Sequence, residues 1–442
     1  MDAAILSIGD ELALGQTVDT NTAWLAGQLA HHGVSTQYHF TVADDLPRIV
    51  DALKLACRDH QLVLVTGGLG PTADDLTREA IAQLLGEPLQ EDAAAVAVLE
   101  QFFAGRGRPM PARNKVQACR PASAAFLENP NGTAPGLTAT VDGATLYAMP
   151  GVPREMRAMY QQHVEPTLTA AGGGGASGGG GKVIRTARVH TFGIGESDAA
   201  ERLGELMDRQ RNPKVGTTIS GGTCSARVRS EATDADTAAE QLEDTVRRVG
   251  EAIGPVVFGR DDDTLASVLL ELMRQRGLKL AVAESCTGGM LGQMLTEPAG
   301  SSDVFVGGWV VYSNAMKTRQ LGVPESVIEQ HGAVSGPVVE AMATAALQQS
   351  QADTAIAISG VAGPGHSEGK PAGTVWIGLA RRVDGGPQVQ SRVAKLGGGR
   401  DAVRLRSSLC AMQLLRLWLL GESLDEVTWA TPGSAKAEAA PA

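Results

Sequence analysis

The chain lacks the cysteine pattern of either a stapled or a zinc-caged protein. Its five cysteines, Cys57, Cys119, Cys224, Cys286 and Cys410, are scattered without a C-x-x-C pair, which argues against a disulfide framework and fits a reducing compartment. A long apolar run is also missing. The longest, residues 409–420, is interrupted by Gln413 and Arg416 and is too short to span a bilayer. No basic segment precedes the short apolar run at residues 1–8, and the acidic pair Asp10-Glu11 follows almost at once, so a secretory leader is not expected. Cationic excess is absent too. A formal charge of −11 gives no general affinity for phosphate backbones, and direct nucleic-acid binding is not expected. These absences together predict a cytoplasmic protein with no membrane association.

What is present is an ordinary globular composition, 43% apolar and 20% charged over 442 residues, a length that predicts two or three domains. Residues 3–8, 34–41 and 62–65 read as strands, with helices at residues 22–32, closed by Gly33, and after Pro47. That alternation predicts a parallel sheet covered by helices. The tract at residues 172–181, GGGGASGGGG, cannot pack a core and reads as a flexible linker or loop insertion. After it, residues 182–189 and 224–229 read as strands and residues 197–209 and 235–253 as helices, a small α+β module without visible chemistry. A second α/β pattern begins at Asp263, with strands expected at residues 278–283, 304–312, 354–358 and 373–380 and helices at 265–276, 337–349 and 401–420. The tail beyond Thr431 is rich in Ala, Pro and small polar residues and is expected to be disordered.

In the C-terminal pattern the strand at residues 278–283 runs into ESCTGG, and residues 290–296 look helical. Ser285 therefore sits on a strand-to-helix turn beside the free N–H groups of a new helix, donors that could stabilise an oxyanion, while Gly288 and Gly289 let a substrate approach the backbone. Equally, Ser285 or Thr287 could simply cap that helix. VVYSNAMK ends a strand at Tyr312 and starts a helix with Ser313 or Asn314 as cap, leaving Lys317 in the first turn. There the helix dipole and desolvation would both depress its pKa, as a general base requires. A solvated surface lysine is the plain alternative, and Tyr312 could be a half-buried strand aromatic. SGVAGPG, residues 359–365, could wrap a phosphate or ribose with backbone amides or be only a turn. Arg400 opens the last helix and suits an anionic group, or is helix-surface charge.

Taken in order across residues 283–376, AESCTGG, AGSSDVF, VVYSNAMK, HGAVS, ISGVAGPG and KPAGTVW resemble the C-terminal domain of the CinA family, which also occurs alone as bacterial nicotinamide mononucleotide amidohydrolase. The resemblance implies Ser285 as nucleophile and Lys317 as its base, with Tyr312, Ser359 and Arg400 completing the site. Thr287, Gly288, Gly289, Asn314, Gly360 and Gly363 are expected to bind substrate. Ser359 stands where threonine is frequent, and His366 where glycine is more usual. Ser285 would attack the carboxamide carbon, Lys317 would move the proton to departing ammonia, and no cofactor is expected. Cys286 is a competing nucleophile one residue away, expected to point elsewhere. His331 and His366 have no evident acidic partner for a Ser/His arrangement.

Near the N-terminus, TGGLGPTADDLT carries Gly67, Gly68, Gly70, Thr72, Asp74 and Asp75, a pairing of backbone donors with carboxylates suited to a diphosphate and a metal, or to capping. Asp10-Glu11 and Asp19-x-Asn21 could add oxygen ligands or cap a helix, and Asn131 lies in a further turn. With these motifs residues 1–168 resemble the CinA N-terminal domain, related to the molybdopterin-binding fold of the MoaB and MogA proteins. That resemblance implies a Rossmann-like three-layer αβα domain that binds ADP-ribose. In some members it also implies cleavage to AMP and ribose 5-phosphate with a divalent metal (cobalt, magnesium or manganese), held here by Asp75 and Asp74. The expected domains are residues 1–170, a linker and KH-like α+β domain at 171–258, an α/β amidohydrolase domain at 259–422, and a tail at 423–442. The middle domain lacks a clear basic G-x-x-G loop, so RNA binding is not inferred. The leading reading is a pyridine-nucleotide salvage enzyme acting on nicotinamide mononucleotide and ADP-ribose, assembled as a homodimer. Its alternatives are a non-catalytic accessory to DNA uptake and recombination working through protein partners, and a pterin-binding protein of molybdenum cofactor synthesis.

Overall fold

A computed structural model describes residues 1–172 and 183–432. Apart from Gly172, which ends the helix Glu165–Gly172, the glycine tract lies outside the described residues, as does the chain beyond residue 432. Of the tail expected at 423–442, residues 423–432 are instead folded, with Leu424, Val427 and Ala430 in the core. Among the described residues no helix is long and apolar enough to cross a membrane. The chain divides into two compact units, one holding Met1–Arg185 with Glu231–Ala239 and the other holding Thr186–Ser230 with Glu240–Ala442.

In the first unit six strands form one sheet in the order Ser35–Val42, Asp2–Ile8, Leu62–Thr66, Ala144–Met149, Gly136–Val141, Ala125–Leu127. The first four are parallel and the last two antiparallel. Side chains alternate across the sheet. Ala4, Leu6 and Ile8 thus face a core with Ile49, Leu53 and Ile81, while Ala3 and Ile5 face the opposite core with Leu25, Leu29, Met156 and Tyr160. Helices cover both faces, giving the expected three layers. Asp19 caps the helix Thr20–His31 by accepting from the Thr22 amide, so it is a cap rather than a free ligand.

The middle module, most of whose residues belong to the second unit, is a four-stranded sheet ordered Lys214–Ser220, Thr223–Ala232, Val183–Thr191, Val257–Arg260, accompanied by the helices Glu196–Leu203 and Ala235–Ile253. The strand Lys214–Ser220, absent from the sequence reading, has a mostly half-buried or exposed face and so carries little apolar alternation. The C-terminal sheet is ordered Phe305–Val310, Leu280–Glu284, Thr354–Gly360, Thr374–Val383, Gly386–Lys395, Ala430–Pro432. Its first three strands are parallel and the rest antiparallel. The helices Leu265–Gln275, Met290–Thr296 and Arg400–Leu420 pack on one face and Gly336–Ser350 on the other. Gln413 and Arg416, which interrupt the apolar run of the last helix, have a definite task. Gln413 Nε2 donates to the Phe192 and Val256 carbonyls at 3.0 Å each. Arg416 donates to Pro255 and Val257 at 3.0 and 2.8 Å, tying the middle module to the C-terminal sheet.

Gly67 follows the strand Leu62–Thr66 at φ +106, and a Cβ there would stand 2.2 Å from the Ile8 carbonyl oxygen. Gly67→Ala is expected to destabilise the first unit by about 1–3 kcal/mol through backbone strain, lowering its urea midpoint. Gly151→Ala, where the new Cβ would meet nothing nearer than 3.5 Å, is expected to leave the midpoint close to wild type.

Candidate active site and nucleotide cavity

Ser285 follows the last residue of the buried strand Leu280–Glu284. Its amide donates to the Ile358 carbonyl at 2.9 Å, while the Glu284 carbonyl accepts from Val311 at 2.8 Å. The turn is thus sewn to both neighbouring strands. The parallel edge strand ends at Val310, and Ser313 accepts from the Met316 amide to cap the helix Asn314–Leu321. Lys317 points inward from this helix, 1% exposed, with Nζ 3.1 Å from Ser285 Oγ and 3.5 Å from the Tyr312 carbonyl oxygen. Two segments 32 residues apart therefore meet as the sequence reading required.

Desolvation pushes the Lys317 amine below the usual lysine range, and its neighbours Cys286 and Glu368 oppose that shift. A neutral amine in this position can accept the serine proton while one N–H donates to the Tyr312 carbonyl. Cys286 is a poor rival, because burial pushes its thiol up to about 12 and thiolate is the reactive form.

One expectation is overturned. The amides at the start of the helix Met290–Thr296 are not free for an oxyanion, since the Glu284 carboxylate accepts from Gly289 at 3.0 Å, Leu291 at 3.1 Å and Gly292 at 2.8 Å. Sequence reasoning passed over Glu284, although an acid ending an otherwise apolar buried strand is the signal that could have found it. Arg404 was missed as well; its guanidinium grips the Thr287 carbonyl from Nε at 3.1 Å and Nη2 at 2.8 Å.

The other expected residues fall into two groups. Tyr312 and Arg400 are exposed and paired, with Arg400 donating to the Tyr312 hydroxyl at 2.9 Å and to the Gly363 carbonyl at 2.8 Å. Asn314 is exposed at the first position of its helix, Gly288 and Gly289 stand at positive φ in the nucleophile turn, and Gly360 ends a central strand. Thr287 and Ser359 are instead sealed at 0% and 1% exposure. Ser359 donates to the Ala333 carbonyl at 2.7 Å, and Thr287 Oγ1 is buried without a partner. In this structure neither side chain is open to a ligand. Glu368, from the loop that carries His366, accepts from the Ala333 and Val334 amides at 3.1 and 3.2 Å.

In the first unit a cavity of about 410 Å³ opens where the parallel strands end, lined by Gly9, Glu11, Asp44, Gly67, Gly68, Gly70, Thr72, Asp74, Asp75, Gly151 and others. That is where such sheets bind ligands. Asn131 is not among the lining residues; it is bonded to Arg154 beside them. Asp75 accepts from the Gly70 amide at 2.7 Å, the Thr72 amide at 2.8 Å and the Thr72 hydroxyl, so its oxygens organise the loop. Buried Arg78, unnoticed in the sequence, donates to the Leu69 and Gly70 carbonyls from beneath. Burial pushes the Asp44 carboxyl up, and the negative charges of Asp10, Glu11 and Asp74 add to the shift. Among the described residues no group of three or more His, Cys, Asp or Glu side chains could hold a metal ion. With Asp75 committed to its own loop, the residues present do not fit a metal cage made by protein alone.

Comparison with known proteins accounts for all three modules. Residues 4–170 match the probable molybdopterin binding domain, 186–259 the KH domain of damage-inducible protein CinA, and 262–419 the CinA C-terminal domain. A CinA-like protein of Synechococcus sp. strain RCC307 is 41% identical over 423 residues, covering 94% of this chain and 98% of its own length. A protein of Symbiobacterium thermophilum that carries the competence-damage inducible name is 40% identical over 428 residues, covering 95% and 99%. The chain belongs to the CinA family. Among solved structures, CinA of Thermoplasma acidophilum, titled as of unknown function, is 38% identical over 38% of this chain and 97% of its own, with a TM-score of 0.36.

Because the folded-state pKa of Lys317 lies below its unfolded value, the folded chain binds fewer protons between the two. This group's contribution to stability therefore rises with pH through that window, and its penalty is largest below the folded pKa. Lys317→Met is expected to raise the thermal midpoint at neutral pH, and the gain should shrink as pH rises toward 10. A lower midpoint at every pH would contradict the burial argument.

Proposed function

We infer that the C-terminal domain hydrolyses nicotinamide mononucleotide to nicotinate mononucleotide and ammonia, with Ser285 as nucleophile and Lys317 as general base. The observation that carries this reading is the 3.1 Å approach of a desolvated amine to a serine hydroxyl on a strand-to-helix turn. Ser285 Oγ attacks the carboxamide carbon while its proton passes to Lys317 Nζ. The tetrahedral intermediate then collapses as Lys317 returns that proton to the leaving ammonia, and water hydrolyses the acyl-enzyme. With the amides of residues 289, 291 and 292 engaged by Glu284, the Cys286 and Thr287 amides are the donors assigned to the oxyanion. Arg400, steadied by Tyr312, suits the substrate phosphate. No step in this sequence calls for a cofactor.

For the N-terminal cavity the reading is binding of ADP-ribose, supported by its position at the strand ends and its glycine-rich loop. Cleavage to AMP and ribose 5-phosphate with cobalt, magnesium or manganese is the accompanying proposal, since hard divalent ions such as magnesium bind through one or two carboxylates together with substrate phosphates rather than in an all-protein cage. A cytoplasmic homodimer completes the reading, with sedimentation as its check.

Purified protein is expected to release ammonia from nicotinamide mononucleotide in the presence of a chelator, and Ser285→Ala to lose activity by roughly a thousandfold or more. Unchanged turnover in that variant would move the nucleophile to Cys286. For the N-terminal cavity, Asp75→Asn replaces an oxygen that accepts from its own loop with a donor. It is expected to weaken calorimetric binding of ADP-ribose equally with and without a divalent metal. An effect seen only with metal present would make Asp75 a ligand after all, and AMP release measured with each metal decides whether binding leads to turnover.

A further inference from the structure

Glu284 is 1% exposed, and burying a carboxylate costs several kcal/mol unless strong donors surround it. Here the donors are three amides of the segment that follows the nucleophile, Gly289 and Leu291 on Oε2 and Gly292 on Oε1. Gly288, the residue between that segment and the Ser285–Thr287 stretch, returns its own amide to the Ser285 carbonyl at 3.1 Å. On the far side Arg404 holds the Thr287 carbonyl. A turn containing two consecutive positive-φ glycines, Gly288 and Gly289, would otherwise have many conformations open to it.

We propose that Glu284 is a positioning residue: its carboxylate locks the turn so that Ser285 Oγ stays within reach of Lys317 and the Cys286 and Thr287 amides keep a fixed orientation toward the reacting carbonyl. Glu284 touches neither substrate nor the transferred proton. Both of its oxygens are engaged by amides of its own turn, so the role of Glu284 is geometric. It acts through its neighbours, where a displacement of about 1 Å can cost a hundredfold in rate.

The proposal rests on Ser285 being the nucleophile, and its test separates the two. Ser285 is labelled with a fluorophosphonate probe in the full-length protein and the rate is read by mass spectrometry, which needs no assumption about the natural amide. Glu284→Gln keeps the shape but puts an N–H where an acceptor is required. It is expected to slow labelling at least tenfold and to lower kcat for nicotinamide mononucleotide by a similar factor. KM should stay within about threefold, and the acid limb of the pH profile should remain at its wild-type position. Wild-type labelling speed in Glu284→Gln, or an acid limb that moves, overturns the positioning role alone. Failure of the wild-type protein to label at Ser285 overturns the nucleophile assignment and this proposal with it. If Glu284→Gln does not fold, Glu284→Asp keeps the charge with one methylene less reach. Slowed labelling there supports the proposal, and an unchanged rate overturns it.

Discussion

The contact on which the C-terminal site depends joins Lys317 Nζ to Ser285 Oγ across 3.1 Å of interior. A lysine 1% exposed is held where its charged form is costly, so the amine is driven toward neutrality by burial. A neutral amine is useful only beside a proton it can take. The fold brings the two together by ending two adjacent parallel strands, Leu280–Glu284 and Phe305–Val310, on the same edge and starting a helix after each. The two groups come from separate segments, so their distance is set by sheet pairing and by the packing behind it.

That packing is extensive. Leu269, Leu270, Met273, Leu291 and Leu295 back the nucleophile turn from one face, and Val338, Val339 and Met342 support the lysine side from the other. Each buried side chain of this size contributes about 1.5–3 kcal/mol, enough to hold a strand end that also carries a buried acid and a buried amine. Glu284 and Arg404 then fix the turn with charge-assisted hydrogen bonds, so the same short stretch is fastened through its amides and through a carbonyl. In the first unit Arg78 and Asp75 do something similar to the glycine loop, one holding its carbonyls and the other its amides.

Much of this was legible in the sequence wherever chemistry and local structure coincide. Ser285 before two glycines, and Lys317 four residues after a serine cap, carried both the site and the family resemblance. A parallel sheet covered by helices followed from the alternating elements of the N-terminal segment, and its three-layer form from the family resemblance. What escaped were residues whose roles exist only after burial is known. Glu284 and Arg404 read as ordinary charges until the strand end is seen to be sealed and the last helix is laid beside the turn. Gln413 and Arg416 looked like interruptions of an apolar run, whereas their partners lie more than 150 residues away in the middle module. The strand Gly386–Lys395 was missed for a related reason: few of its residues are fully buried, so its sequence lacks a strong period of two. Asp75 accepts from its own loop, which is the capping role that the sequence left open beside metal binding.

The most direct test is the titration of Lys317 itself, followed by NMR of lysine labelled with ¹³C at Cε in the wild-type protein and assigned by comparison with Lys317→Arg. The account predicts one resonance that titrates clearly below the others, which should cluster near the free-lysine value of about 10.4. If the signal lost in Lys317→Arg instead titrates with that cluster, the amine is charged at neutral pH and cannot take the serine proton as described.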